Sequence, residues 1–151
     1  EIGPGPGRTT DILATKHERL TAVEVDEQLA TALARRFAGS NVAVHHADGA
    51  EMPFGDATFS GACCFIMLHH VPTPEHQDRL FAEVRRVLAP GATFVGADGA
   101  PSDELASRHV DDTYNPVDPA TLAKRLTLAG FTDVDVVERP GLFKFRARVP
   151  G

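Results

Sequence analysis

Glu1-Ile-Gly-Pro-Gly-Pro-Gly7 places three glycines at alternate positions behind an acidic residue. With no side chains at Gly3, Gly5 and Gly7, the backbone N–H groups of such a turn can come close to a ligand. Seventeen residues after Gly7, Glu24 closes a β-rich run as part of Val23-Glu24-Val25-Asp26. A carboxylate at a strand end can accept both hydroxyls of a ribose in bidentate fashion. Asp26 is the alternative acceptor, but it fits better as the cap of the helix that follows. A second acidic turn, Ala47-Asp48-Gly49-Ala50-Glu51, comes later. An Asp there can accept the amino group of an adenine while nearby N–H groups meet a ring nitrogen. Taken singly, a glycine-rich stretch or an Asp-Gly pair reads as a plain turn. Their common spacing carries the weight.

These groups need strands that end where the carboxylates stand. Helical and strand patterns alternate along the chain. Asp11 to Leu20 reads as the end of a first helix that begins near Thr9, whose hydroxyl can cap it. Leu20 to Val25 is a strand ending in acids. Asp26 caps a helix to Phe37 with Leu29, Ala30, Leu33, Ala34 and Phe37 on one stripe, and Gly39 stops it. Val42 to His46 is a strand. Thr58 to Leu68 is another, apolar enough to be buried on both faces. Pro74 starts a helix to Leu88 with Leu80, Phe81, Val84, Val87 and Leu88 inward, and Ala92 to Ala97 forms the next strand. Residues 99–117 lack periodicity and read as a loop. A helix from Ala120 to Ala129 precedes an antiparallel hairpin, Phe131 to Glu138 and Leu142 to Val149, turning at Pro140-Gly141.

The 151 residues form one domain, 1–151, with 42% hydrophobic and 24% charged residues. A net charge of −6 and the lack of a basic run argue against a nucleic-acid partner. No apolar run approaches the roughly 20 residues that span a bilayer. Cys63 and Cys64 sit inside an apolar run and give no disulfide framework, which suits a reducing, cytoplasmic setting. His45 and His46 have no further ligand at metal spacing, so no metal is expected.

Together these stretches resemble the class I S-adenosylmethionine-dependent methyltransferases. Glu1-Ile-Gly-Pro-Gly-Pro-Gly7 is similar to that family's first motif. Asp48 before Met52-Pro53-Phe54 resembles its Asp-x-x-x-Leu-Pro-Phe, and Phe59-Ser-Gly-Ala-Cys-Cys-Phe-Ile-Met-Leu-His-His-Val71 its fourth motif, with Ser60 where Asp is usual. Glu83-Val-Arg-Arg-Val-Leu-Ala-Pro-Gly91 resembles a scaffold stretch. The resemblance implies a doubly wound, mostly parallel α/β/α sheet whose last strand is antiparallel. It also implies S-adenosylmethionine as cofactor, held by Glu1, Gly3, Gly5, Gly7, Glu24, Val25, Asp48, Gly49, Ala50, Cys64 and Phe65. The glycine turn of this family follows a central strand, and only Glu1 and Ile2 precede it here. A truncated chain is therefore expected, lacking an N-terminal helix and the strand that ends at Glu1.

The expected activity is methyl transfer to a small-molecule acceptor. The sulfonium donor is already activated, so alignment and exclusion of water do most of the work. Where the acceptor is a hydroxyl or phenol a base assists, and His69, His70 and Asp98 are candidates. The stretch from Asp98 to Asn115, with Tyr114, is the expected selectivity loop. A nicotinamide oxidoreductase is the competing class, although its third glycine belongs one position later, where Arg8 stands. A cofactor-binding pseudoenzyme is a third.

Overall fold

Parallel pairing of two short β-rich runs starts the architecture. A computed structural model describes residues 1–107 and 113–151. Along the chain run α1 (Arg8–Ala14), β1 (Leu20–Glu24), α2 (Glu27–Arg36), β2 (Val42–His46), β3 (Phe59–Phe65), a 3-10 turn (Leu68–His70), α3 (Pro74–Val87), β4 (Leu88–Gly99), α4 (Asp103–Ser107), α5 (Pro119–Leu128), β5 (Thr132–Arg139) and β6 (Leu142–Arg148). β1 pairs with β2 in parallel, from Leu20 opposite Val42 to Glu24 opposite His46. β3 runs parallel to β4, and β6 lies between β4 and β5, antiparallel to both. This is the α/β class expected, with the final strand reversed.

Ile2 joins the two halves. It bridges Val23 and Cys64, both in parallel, because its N–H donates to the Cys63 carbonyl at 2.9 Å while the Val23 N–H donates to the Glu1 carbonyl and the Gly3 N–H to the Val23 carbonyl. Glu1 to Gly3 thus sit between β1 and β3 and deliver the glycine turn to the carboxyl edge of both strands. Ligand sites in open α/β sheets form at this edge.

The main core lies under α3 and α5. Leu80, Phe81, Val84 and Val87 of α3 and Leu122 and Leu126 of α5 are buried against Phe94 of β4 and Phe143, Phe145 and Ala147 of β6. Each such aliphatic or aromatic side chain contributes about 1.5–3 kcal/mol when fully buried. The alternation along β6, with Lys144, Arg146 and Arg148 exposed between the buried residues, is that of a strand with one wet face.

Several local expectations are corrected. α1 starts at Arg8 with Gly7 as its N-cap and no side-chain cap, and it ends at Ala14. Thr9 is therefore within the helix. β3 is shorter than Thr58–Leu68 because Ile66 takes a positive φ of 53° and ends it. Nor is β3 buried on both faces: Ser60 and Gly61 are exposed and Cys64 alone is fully buried, since Ile2 covers its last residues and, among the described residues, no strand pairs that edge at the start of β3. Leu29 and Ala34 leave the inward stripe of α2, where Ala30 and Leu33 are the buried pair. β4 begins at Leu88, and the expected loop contains the short α4. Residues 108–112 of that loop lie outside the described residues.

Candidate active site

The glycine turn is built by its conformation and by three anchors. Gly7 has a φ of 78°, and a Cβ there would stand 2.4 Å from Leu33 of α2. Only glycine allows this turn to lie on that helix. Arg36, at the end of α2, donates to the carbonyls of Pro6 at 3.0 Å and Gly7 at 2.8 Å and pairs with Asp11 at 2.9 Å. Glu1 is half-buried and accepts from the Thr10 hydroxyl at 2.5 Å. Burial raises its carboxyl pKa above the ordinary value, and the Thr10 hydrogen bond opposes that rise.

Glu24 closes β1 with only 5% of its surface exposed. One carboxylate oxygen accepts the Gly5 N–H at 2.9 Å and the other the Asp26 N–H at 3.0 Å. Each oxygen retains a second lone pair for a hydroxyl. Asp26 itself caps α2 by accepting from the Leu29 N–H, which separates the two acids as their positions suggest. Val25 follows Glu24 with 66% of its surface exposed, an apolar surface beside a carboxylate.

Asp48 stands after β2. Its Oδ1 accepts from the Ala50 N–H at 2.8 Å, and its Oδ2 lies 2.8 Å from Nε2 of His76 on α3. Gly49 is buried, and a Cβ on it would stand 2.9 Å from Ile2 and 3.2 Å from Leu80, so the turn packs tightly between the glycine segment and α3. His45 stacks edge-on with Phe54 and His46 reaches the Val25 carbonyl.

At the end of β3, Cys64 is buried and its thiol pKa is pushed well above the ordinary value by that burial. Phe65 is half-buried and Ile66 is 57% exposed. Beyond it, His69 and Asp98 form a buried pair, 2% and 1% exposed, with Nδ1 2.5 Å from Oδ1. Asp98 also accepts from the backbone N–H groups of His69 and Gly99. His70 is exposed, and its ring lies 4.2 Å from that of His69. The Tyr114 ring stands 6.3 Å from that of His69.

A nucleoside carrying an amino acid fits these donors and acceptors. Gly5 has a φ of 53° and open space where a Cβ would be, so its side of the turn lies clear for a ligand to approach. Glu24 and Asp48 stand at the ends of adjacent paired strands, and His46 and Glu24 are register partners.

Residues 1–96 match the methyltransferase domain. The chain belongs to this family. It is a class I S-adenosylmethionine-dependent methyltransferase domain, with S-adenosylmethionine as its cofactor. The methyltransferase domain is 28% identical over 149 residues to an O-methyltransferase, cnsE, of Penicillium expansum, covering 91% of this chain and 53% of that protein. A 38-residue stretch, 25% of this chain, is 55% identical to ribosomal RNA small subunit methyltransferase A of Acidobacterium capsulatum, of which it covers 13%. The chain thus spans about half or less of these curated relatives. Among solved structures, a Burkholderia thailandensis 1,6-didemethyltoxoflavin-N1-methyltransferase, with bound 1,6-didemethyltoxoflavin and S-adenosylhomocysteine, superposes with a TM-score of 0.76 at 26% identity, covering 99% of this chain and 69% of that one.

The structure brings Glu1, Gly3, Gly5, Gly7, Glu24, Val25, Asp48, Gly49, Ala50, Cys64 and Phe65 to the carboxyl edge of the sheet and the turns leaving it. It pairs His69 with Asp98 and leaves His70 outside that pair. Neither Arg36 nor His76 belongs to a motif, since each acts through contacts with residues distant in the chain. Among the described residues no group of His, Cys, Asp or Glu is placed to hold a metal ion, and no helix is long and apolar enough to cross a membrane.

Proposed function

We propose that this methyltransferase domain transfers a methyl group from S-adenosylmethionine to a small-molecule acceptor. The observation that carries the reading is the convergence of Gly5, Glu24 and Asp48 on one edge of the sheet. In this reading Glu24 accepts the ribose hydroxyls, Asp48 the adenine amino group, and Val25 supplies an apolar surface to the base. The N–H groups of the glycine turn and the backbone at Cys64 and Phe65 meet the amino-acid end, and Glu1 keeps the turn in place through Thr10.

When bound, S-adenosylmethionine supplies a methyl group already activated on a sulfonium. The residues of the chain then have to orient and exclude water rather than activate. Burial and hydrogen bonding favour a packing role for His69 and Asp98: the pair fixes the 3-10 turn against the end of β4. Where the acceptor is a hydroxyl, His70 is the one of the three candidates with an exposed ring and is the base an acceptor can reach. The 1,6-didemethyltoxoflavin-N1-methyltransferase that it resembles supports a small acceptor, as does the net charge of −6 against a nucleic acid. The free thiols of Cys63 and Cys64 suit a reducing cytoplasm.

Calorimetric titration of the full-length protein with S-adenosylmethionine, S-adenosylhomocysteine and NAD tests the reading. Micromolar binding of the two sulfur compounds and none of NAD is expected. Tight NAD binding with no response to the sulfur compounds would overturn it in favour of an oxidoreductase. Transfer of a labelled methyl group to small hydroxylated or nitrogenous acceptors separates an enzyme from a protein that only binds.

A further inference from the structure

His76 is the third residue of α3, and its place follows from local chemistry. Thr73 caps the helix by accepting the His76 N–H at 3.1 Å, and Pro74 fixes the first turn. In the common capping arrangement the residue at this position folds its side chain back onto the cap. Here the imidazole reaches across to another element instead. Its Nε2 lies 2.8 Å from Oδ2 of Asp48, and the two side chains remain 23% and 42% exposed. The contact between Gly49 and Leu80, one turn further along α3, holds helix and turn at this separation.

We propose that His76 is a positioning residue for adenine recognition, orienting the Asp48 carboxylate that accepts the adenine amino group. This rests on the role given to Asp48 above. The carboxylate is held at both ends: Oδ1 accepts from the Ala50 N–H and Oδ2 from Nε2 of His76 in the tautomer that carries a proton there. A carboxylate oxygen has two lone-pair directions. With one taken by His76, the other is fixed in space on a carboxylate whose side chain stays 42% exposed. Without His76 the carboxylate can rotate about its Cβ–Cγ bond, and a ligand has to order it on binding.

The test measures dissociation constants for two ligands: S-adenosylhomocysteine, and its analogue bearing hydrogen in place of the adenine amino group. The full-length protein is compared with His76→Ala, His76→Gln and Asp48→Ala. His76→Ala should weaken S-adenosylhomocysteine about fivefold, roughly 1 kcal/mol at 1.4 kcal/mol per decade, and change the analogue less than twofold. His76→Gln, whose amide nitrogen can stand near the Nε2 position, should restore most of the difference. Equal losses for both ligands, no loss for either, or no rescue by glutamine would overturn the proposal. Asp48→Ala keeps this apart from its premise. If it too fails to discriminate the ligands, the adenine role of Asp48 is wrong. If it discriminates and His76→Ala does not, Asp48 stands and His76 is only a strut between α3 and the turn.

Discussion

Glu24 and Gly5, nineteen residues apart, are joined by a 2.9 Å hydrogen bond from the glycine N–H to the carboxylate. The acid proposed to hold the ribose thereby also fixes the turn proposed to hold the amino-acid end. In that proposal ribose recognition and loop geometry depend on one side chain.

Glu24→Ala should weaken S-adenosylhomocysteine binding at least about tenfold, since two charge-assisted hydrogen bonds contribute roughly 1.5–3 kcal/mol each. Calorimetry on the folded variant measures it. Glu24→Gln keeps the shape but loses the charge and half of the acceptor capacity, so it should fall between the two. An unchanged dissociation constant in either variant would move the role to Asp26 or remove the site.

Asp98 accepts from the His69 ring and from the N–H groups of His69 and Gly99 while almost wholly buried. Leaving a buried hydrogen-bonding group without its partner costs about 1–3 kcal/mol. Asp98→Ala should therefore lower the unfolding free energy obtained from denaturant titration by about that much, and Asp98→Asn by less. A loss under about 1 kcal/mol would show that the pair does not anchor the 3-10 turn.

Much of this site was legible in the sequence because its signals are local. The acids end strands, the glycines mark a turn, and the 3.6-residue stripe of α3 named all four of its buried hydrophobic residues correctly. What escaped notice depends on the third dimension. Arg36 is thirty residues from Pro6 and His76 twenty-eight from Asp48, and no spacing rule connects them. The limits of β3 were misjudged for a different reason. The nearly all apolar run from Thr58 to Leu68 hides a left-handed residue at Ile66, where propensity favours extended chain but the backbone turns while its N–H donates to the Ala97 carbonyl.

Ile66 is a β-branched residue at φ 53° with 57% of its surface exposed. The left-handed region costs a side chain of this kind roughly 1–2 kcal/mol, and asparagine tolerates it. Ile66→Asn should thus raise stability by about 0.5–1 kcal/mol, read from thermal or denaturant unfolding. A residue kept in strain at a sheet edge is a candidate for ligand contact, so the same variant should lose methyl-transfer activity while it gains stability. Lower stability would mean that the exposed side chain packs better than its surface suggests.

Glu83 and Arg86 of α3 latch the segment after the Asp48 turn. The Glu83 carboxylate accepts from Arg86 at 2.6 and 2.8 Å and from the Met52 N–H at 2.8 Å, and Arg86 continues to Asp56 and the Phe54 carbonyl. The Arg86 hydrogen bonds hold the Glu83 pKa below its ordinary value of 4.5. A carboxylate with a lowered pKa binds fewer protons folded than unfolded, so its contribution is full above pH 4.5 and is lost as pH falls through the folded value. The Arg86 side chain is 35% exposed, and solvent screening keeps the effect to about 1 kcal/mol or less. Glu83→Gln should accordingly lower stability at pH 7 and flatten its fall below pH 4.5 relative to the parent. Denaturant unfolding at a series of pH values reads both effects, and parallel pH profiles would show that other carboxylates set the acid limb.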